Sequence, residues 1–231
     1  MTRAPPVDLE NNVLDGQSQP AEPRTRNAHM EQQPKIVSPQ LRRRPAIGTY
    51  MQIGHVVRNM DTALACWTQA MEVGPFVVLD SSVADRQFFH RGQRSAVDFS
   101  IAISYLGDVM IELIMPLNAA PSPYSEFLGS GREGLHHVGL WPDDLTKTWQ
   151  ALKESGFTEV SSIRRPDGTT DVIYCDSPNA IGAMVELAEM TPLRKRFLGG
   201  IKALAENWDG SRPVRRYADR AAFISSADGQ P

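Results

Sequence analysis

The sequence predicts an α+β fold made of two tandem βαβββ modules packed together, and it does so through a repeat, an alternation of periods and a recurring pair of residues. Residues 131–144, GREGLHHVGLWPDD, echo the opening of residues 53–76, IGHVVRNMDTALACWTQAMEVGPF. His55 and His137, Asp61 and Asp143, Trp67 and Trp149, and Gly74 and Gly156 share one offset of 82 positions. Four unlike residue types held in one register mark an internal duplication. With only two copies and so long a period, each copy is a whole supersecondary module rather than a solenoid repeat.

In module one, Met51–Val57 reads as a strand. Asn59 or Asp61 then caps a helix that runs through Glu72, with Leu64, Trp67 and Met71 on one face. Gly74-Pro75 ends it, and Phe76–Leu79 starts the next strand. Beyond Phe88-Phe89-His90, the residues Val97, Phe99, Ile101, Ile103 and Tyr105 alternate with Asp98, Ser100, Ala102 and Ser104, the pattern of a half-buried strand. Leu106-Gly107-Asp108 turns the chain into Val109–Met115 and completes a hairpin. Module two repeats this plan with shorter loops. Leu135–Trp141 is its first strand, and Asp144 to Ser155 is a helix with Leu145, Trp149 and Leu152 on one face and Gly156 as its C-cap. Thr158–Arg164 and Asp171–Cys175 form a hairpin around Pro166-Asp167-Gly168, and Gly182–Ala188 is the last strand.

The domain reading follows. Residues 1–46 form a disordered N-terminal tail, because they hold no aromatic residue and seven of the chain's 17 prolines and cannot bury enough surface to offset their ordering entropy. Arg42-Arg43-Arg44 is a solvated charge run there, His29 carries no role, and Met30 could be an alternative start. Residues 47–191 are the folded domain, with module one at 48–116, a Pro- and Gly-rich linker at 117–133 and module two at 134–191. Residues 192–231 give a helix, with Phe197, Ile201 and Leu204 on one face, followed by a tail that frays from Asp219.

A formal net charge of -3 gives no electrostatic reason to propose nucleic acid as a partner. No apolar run approaches the roughly 20 residues that span a bilayer, and the N-terminus lacks a signal peptide's apolar core, so a cytoplasmic protein without a membrane partner is expected. Cys66 and Cys175 read as buried, reduced thiols.

The chemistry candidates recur at equivalent places. Each module opens on a strand histidine, His55 or His137, and closes on a glutamate in an apolar strand, Ile111-Glu112-Leu113 or Val185-Glu186-Leu187. A carboxylate on a buried strand costs several kcal/mol unless it is paired or coordinates a metal. Neither strand carries a cation. The recurrence predicts that His55, Glu112, His137 and Glu186 converge on one divalent ion, Co, Ni, Zn, Mn or Fe. His136 is out of register with His55, being equivalent to Gly54, and is the weaker ligand candidate. His90 and Arg91 are expected at the surface rather than in a pocket, and Trp67 and Trp149 in the core.

These residues resemble the vicinal oxygen chelate superfamily, which includes glyoxalase I, methylmalonyl-CoA epimerase, extradiol dioxygenases and drug-resistance proteins, over about Gly48 to Met190. GHVVRNMDTALACW resembles the opening strand and helix of the methylmalonyl-CoA epimerase branch, and IELIMPLNAAPSPYSEFLGSGREGLHHVGL its second ligand strand, linker and second histidine strand. The resemblance implies a curled mixed-sheet cup around the metal, with ligands at His55, Glu112, His137 and Glu186. Epimerases of that branch usually carry glutamine at the position of Glu112, whereas a His, Glu, His, Glu set resembles bacterial glyoxalase I. The implied activity is a metal-dependent isomerase, epimerase or lyase that abstracts a proton beside a metal-bound carbonyl to give an enolate or enediolate. Glu186 is then the catalytic base, Glu112 its opposite-face counterpart, and the substrate a small-molecule carbonyl compound or CoA thioester. An Fe(II) ring-cleavage dioxygenase and a non-catalytic ligand-binding cup are the alternatives. Homodimers are common in the superfamily, and the resemblance admits one here.

Overall fold

In the computed structural model, which describes residue 48 and residues 51–83, 86–178 and 181–230, the strands form a single sheet whose inner eight strands follow the same order outward from its centre. The strands are β1 (Met51–Val56), β2 (Phe76–Leu79), β3 (Gln87–His90), β4 (Gln93–Ser95), β5 (Phe99–Leu106), β6 (Val109–Pro116), β7 (Gly134–Leu140), β8 (Thr158–Arg164), β9 (Thr170–Asp176), β10 (Met184–Ala188) and β11 (Val214–Tyr217). The helices are α1 (Met60–Ala65), α2 (Pro123–Gly129), α3 (Leu145–Glu154), α4 (Pro192–Glu206) and α5 (Arg220–Ser225). All described residues lie in one unit, Arg42–Pro231. The expected tail, with His29, Met30 and the arginine run, lies outside the described residues.

At the centre β1 and β7 pair antiparallel. Outward from β1 come β6, β5 and β2, and outward from β7 come β10, β9 and β8. These four strands on each side make one βαβββ module, so the α+β duplication predicted from the sequence is present, while β3 and β4 of the module-one segment extend the other flank by pairing on β8. The inner pairs β1·β6 and β7·β10 are parallel and the remaining pairs within each module antiparallel, as hairpins require.

Three apolar clusters assign the faces. Met60 and Leu64 of α1 pack on Phe76, Val78, Ala102, Ile111 and Leu113, so α1 covers one face of module one. Leu145 of α3 packs in the same way on Ile173, Cys175, Val185 and Leu187 of module two. The opposite face curls around Phe99, Ile101, Ile103, Met110, Ile114, Tyr174 and Ala188 and is filled from outside the modules by Tyr124 and Phe127 of α2, Phe197, Leu198 and Ile201 of α4, and Phe223 of α5.

Several expectations are corrected. The alternation along β5 does not mark a solvated face, because Ser100, Ala102 and Ser104 are buried too. Ala102 lies in the cluster beneath α1, where a small residue lets the helix approach. The expected linker contains α2, with Ser122 as N-cap in a reciprocal capping box with Ser125 and Pro123 in the first turn. The chain beyond Asp219 does not fray: Asp219 caps α5, and Phe223 is fully buried against Phe197. Ahead of it, β11 adds a parallel strand to β2. Cys66 is exposed, whereas Cys175 is buried, its thiol pushed up to about 12 by burial. No helix of the described residues is long and apolar enough to cross a membrane.

Candidate metal centre

The four central strands carry the site on their inner face. Along β6, Ile111 and Leu113 point to α1, so Glu112 points into the cup, and along β10 Val185 and Leu187 point to α3, so Glu186 does the same. His137 of β7 is fully buried between them. Its Nε2 lies 2.8 Å from Glu186 Oε2 and 3.5 Å from Glu112 Oε2. The ligand atoms of Glu112, His137 and Glu186 all lie within 4.8 Å of one another, close enough to share an ion.

The fourth position is filled by Gln52, not by His55. Gln52 is buried on the inner face of β1, and its Nε2 lies 2.6 Å from Glu112 Oε2, 2.8 Å from His137 Nε2 and 3.2 Å from Glu186 Oε2. His55 stands on the helix-covered face, its ring edge-on to Trp67 at 5.5 Å. Its Nδ1 is buried without a hydrogen-bond partner, and burial lowers its pKa.

Strand register explains the exchange. Glu112 is level with Gly54 across β1 and β6, and Glu186 is level with Gly139 across β7 and β10. Matching the two glutamates therefore matches Gly54 with Gly139, Gln52 with His137, and the helix caps Asn59 with Asp144, an offset of 85. The identities at 82 are three residues away. Three residues are most of a helical turn, so Trp67 and Trp149 still pack on the sheet side of their helices. In a strand an odd shift reverses the face, which carries His55 out of the cup. The signal that finds Gln52 is the match of Gln52-Ile53-Gly54 with His137-Val138-Gly139, in which each glycine leaves room for the other strand's side chain. A Cβ on Gly54 would lie 1.9 Å from His137 Cε1, and one on Gly139 would lie 2.9 Å from Gln52 Cβ.

The remaining candidates take supporting places. His136 does not face the centre; its Nδ1 lies 3.0 Å from His137 Nδ1, and its ring sits among Tyr124, Phe127 and Tyr174. Burial, then the neighbouring charge of His137, pushes its pKa down to about 3, so it stays neutral and accepts the His137 Nδ1 proton. That leaves His137 Nε2 toward the carboxylates. His90 is buried, against the surface expectation, with Nδ1 2.8 Å from Ser161 Oγ and Nε2 3.0 Å from Glu126. Arg91 is exposed and forks onto Glu126.

The electrostatics call for a cation. Burial opposes charging His137, but hydrogen bonds to Glu112 and Glu186 outweigh it and push its pKa up to about 9. Burial raises the pKa of Glu112, while for Glu186 the hydrogen bond to His137 overcomes burial and holds it down. Without a metal, the imidazolium supplies the positive charge that two buried carboxylates need. The Gln52 amide nitrogen faces two carboxylate oxygens and His137 Nε2, which in the imidazolium is itself a donor, and turning the Gln52 amide would offer its oxygen instead. The donor set fits a divalent ion. Because the folded pKa of His137 lies above its unfolded value of about 6.5, its stabilisation is fully present below that value and is lost as pH rises through about 9. Metal-free protein is therefore expected to lose on the order of 3 kcal/mol between pH 6 and 9.5. Thermal melts across that range check this, and an equal loss in His137→Gln would refute it.

The centre forms the floor of an inner chamber of about 60 Å³, lined by Gln52, Glu112 and Glu186, by Arg86, Arg194 and Arg220, and by apolar side chains of the cup, with Phe197 and Leu198 of α4 opposite. Residues 51–174, more than half of the chain, match the Glyoxalase/Bleomycin resistance protein/Dioxygenase superfamily. An uncharacterized protein of Bacillus subtilis, YqjC, is 31% identical over 103 residues, which cover 44% of this chain and 73% of that protein. Among solved structures, a hypothetical protein of Bacillus halodurans has a TM-score of 0.45 at 20% identity, covering 62% of this chain and 94% of its own. Methylmalonyl-CoA epimerase of Mycobacterium tuberculosis has a TM-score of 0.44 at 18% identity, covering 61% and 87%. A variant of the Streptomyces coelicolor epimerase in complex with 2-nitronate-propionyl-CoA gives 0.43 at 15%, covering 61% and 93%. With the match over 51–174, the duplicated βαβββ order and a buried Glu, His, Glu cluster on the central strands, this chain belongs to the Glyoxalase/Bleomycin resistance protein/Dioxygenase superfamily.

Proposed function

We propose that the chain is a divalent-metal-dependent isomerase, epimerase or lyase that moves a proton at the carbon beside a substrate carbonyl, in the manner of a methylmalonyl-CoA epimerase. The observation that carries this is the buried cluster of Gln52, Glu112, His137 and Glu186 on the floor of a chamber with otherwise mostly apolar walls. One imidazole, two carboxylates and an amide form an oxygen-rich set, which favours Mn or Co within the range expected. When bound there, the ion supplies Lewis acidity that makes a C–H beside a carbonyl easier to ionise.

The protein's own groups do the rest. Glu186, on the β10 side of the cluster, is the base that accepts the proton. Glu112, whose pKa burial raises, faces it across the cluster and can deliver a proton from the other side. His136 holds the His137 ring through Nδ1, and the small chamber limits the water that can reach the carbanion. A glyoxalase I-like lyase would use the same groups. The ring-cleavage alternative is disfavoured, because its facial triad needs two histidines and among the described residues His137 alone presents a ring nitrogen to both carboxylates.

Methylmalonyl-CoA in deuterium oxide, with the Mn- or Co-loaded chain, is the first test. Deuterium is expected to enter beside the carbonyl, and Glu186→Gln is expected to slow that entry by about 10²–10⁴-fold. Equal exchange in the variant, or exchange indifferent to metal, would contradict the assignment.

A further inference from the structure

Two phenol hydroxyls are buried beside the floor of the chamber, where phenylalanine would fill the same space. Tyr174 stands on β9 directly opposite Glu186 on β10. Along β9, Ile173 and Cys175 pack under α3 while Val172 and Tyr174 join the inner cluster, so the Tyr174 side chain shares the inner face with Glu186. Side chains paired in this way leave their strands only about 5 Å apart. Tyr174 lines the chamber, and its ring stands edge-on to His137 at 5.3 Å. Tyr124 reaches it from α2, in the segment that joins the two modules. Tyr124 is fully buried among the rings of Phe88, Phe99 and His136, and its hydroxyl donates to the Tyr174 hydroxyl at 3.0 Å.

The other hydrogen-bond partner of Tyr174 is the Glu186 carboxyl. A carboxylate only accepts and a phenol has one proton to give, so Tyr174 spends its proton on Glu186 and its oxygen receives the proton of Tyr124. The two hydroxyls thus form a directed chain from α2 to one of the candidate ligands. Packing calls for neither of them, since two hydroxyls that satisfy each other stabilise little over an apolar pair of the same shape. We propose that Tyr124 and Tyr174 are a positioning pair for the metal centre: Tyr124 fixes the Tyr174 hydroxyl, and Tyr174 fixes the orientation in which Glu186 meets the ion. The inference rests on the metal site of the function proposed above and adds the residues that aim one of its ligands. Hydrogen bonds of this kind to a ligating carboxylate set its direction and tune what it binds.

The test is the cobalt affinity of the full chain, measured by competition with a chelator, beside the melting temperature of the metal-free protein. Tyr174→Phe is expected to bind cobalt about 10–100-fold more weakly. Tyr124→Phe, which acts through Tyr174, is expected to lose less in the same direction. The visible absorption of the cobalt-saturated protein should change in Tyr174→Phe. The metal-free melting temperature should change little, because His137 and Gln52 still satisfy Glu186. An affinity in folded Tyr174→Phe within about twofold of the wild type would overturn the proposal. So would a loss that comes only with a lower metal-free melting temperature, the mark of a merely structural pair. Should Tyr174→Phe not fold, Tyr124→Phe carries the test, and an unchanged affinity there would overturn the proposal equally. Cobalt binding that depends on Tyr174, without deuterium entry beside the carbonyl, would leave the pair in place and remove the proposed reaction. A wild type that takes up no cobalt would overturn both.

Discussion

Replacing His137 by alanine is expected to abolish metal binding and to cost the metal-free protein about 3–5 kcal/mol at neutral pH. His137 is fully buried, and its Nε2 is the basic nitrogen shared by Glu112 and Glu186. Its removal leaves two carboxylates facing each other with only the Gln52 amide between them. Such a buried pair cannot remain doubly ionised, so one must take up a proton at the expense of folding. Lowering the pH should recover part of the loss by supplying that proton. Urea unfolding at pH 7.5 and pH 5, with elemental analysis, checks both effects. A variant that keeps its metal, or loses less than about 1 kcal/mol, would remove His137 from the centre of the account.

The second large effect is expected at a residue with no side chain. In Gly54→Ala the new Cβ would sit 1.9 Å from Cε1, 2.2 Å from Nε2 and 2.4 Å from Nδ1 of His137. The ring cannot yield freely, because His136 holds its Nδ1 and Tyr174 lies edge-on to it at 5.3 Å. Either the β1–β7 pair separates or the imidazole leaves the cluster. Overpacking of this kind costs about 1–3 kcal/mol or more, and here it should remove the metal as well. Gly139→Ala is the milder control: its Cβ meets the Gln52 side chain at 2.9 to 3.1 Å, and that longer chain has rotamers with which to retreat. Metal content should therefore fall further in Gly54→Ala than in Gly139→Ala. The opposite order would refute the reciprocal packing of the two strands.

Most of the fold and three of the four central residues were legible in the sequence. Repetition found the modules, and a glutamate inside each apolar strand found Glu112 and Glu186, because a buried carboxylate is costly enough to mean something. His55 falls outside the cluster because residue identity gives the strands the wrong register. Histidine, aspartate and tryptophan matched at an offset that helices tolerate and strands do not, and the single amide that replaces an imidazole at Gln52 made no identity with His137. The elements outside the modules were hidden for another reason. The short strand β11 and short helix α5 have little period of their own, and α5 is secured by Phe223, whose burial against Phe197 depends on contacts that close only in the folded chain. His90 went the same way, since Ser161 and Glu126 that bury and satisfy it come from β8 and α2.

The most direct test of the metal centre is cobalt stoichiometry of the purified chain, measured by elemental analysis after dialysis, in the wild type, Gln52→Ala and His55→Ala. Wild type and His55→Ala are predicted to retain cobalt in equal, stoichiometric amounts, and Gln52→Ala to retain clearly less. Loss of cobalt in His55→Ala with retention in Gln52→Ala would contradict the strand register on which the site is built, and absence of cobalt from all three would contradict a cobalt site in the cup.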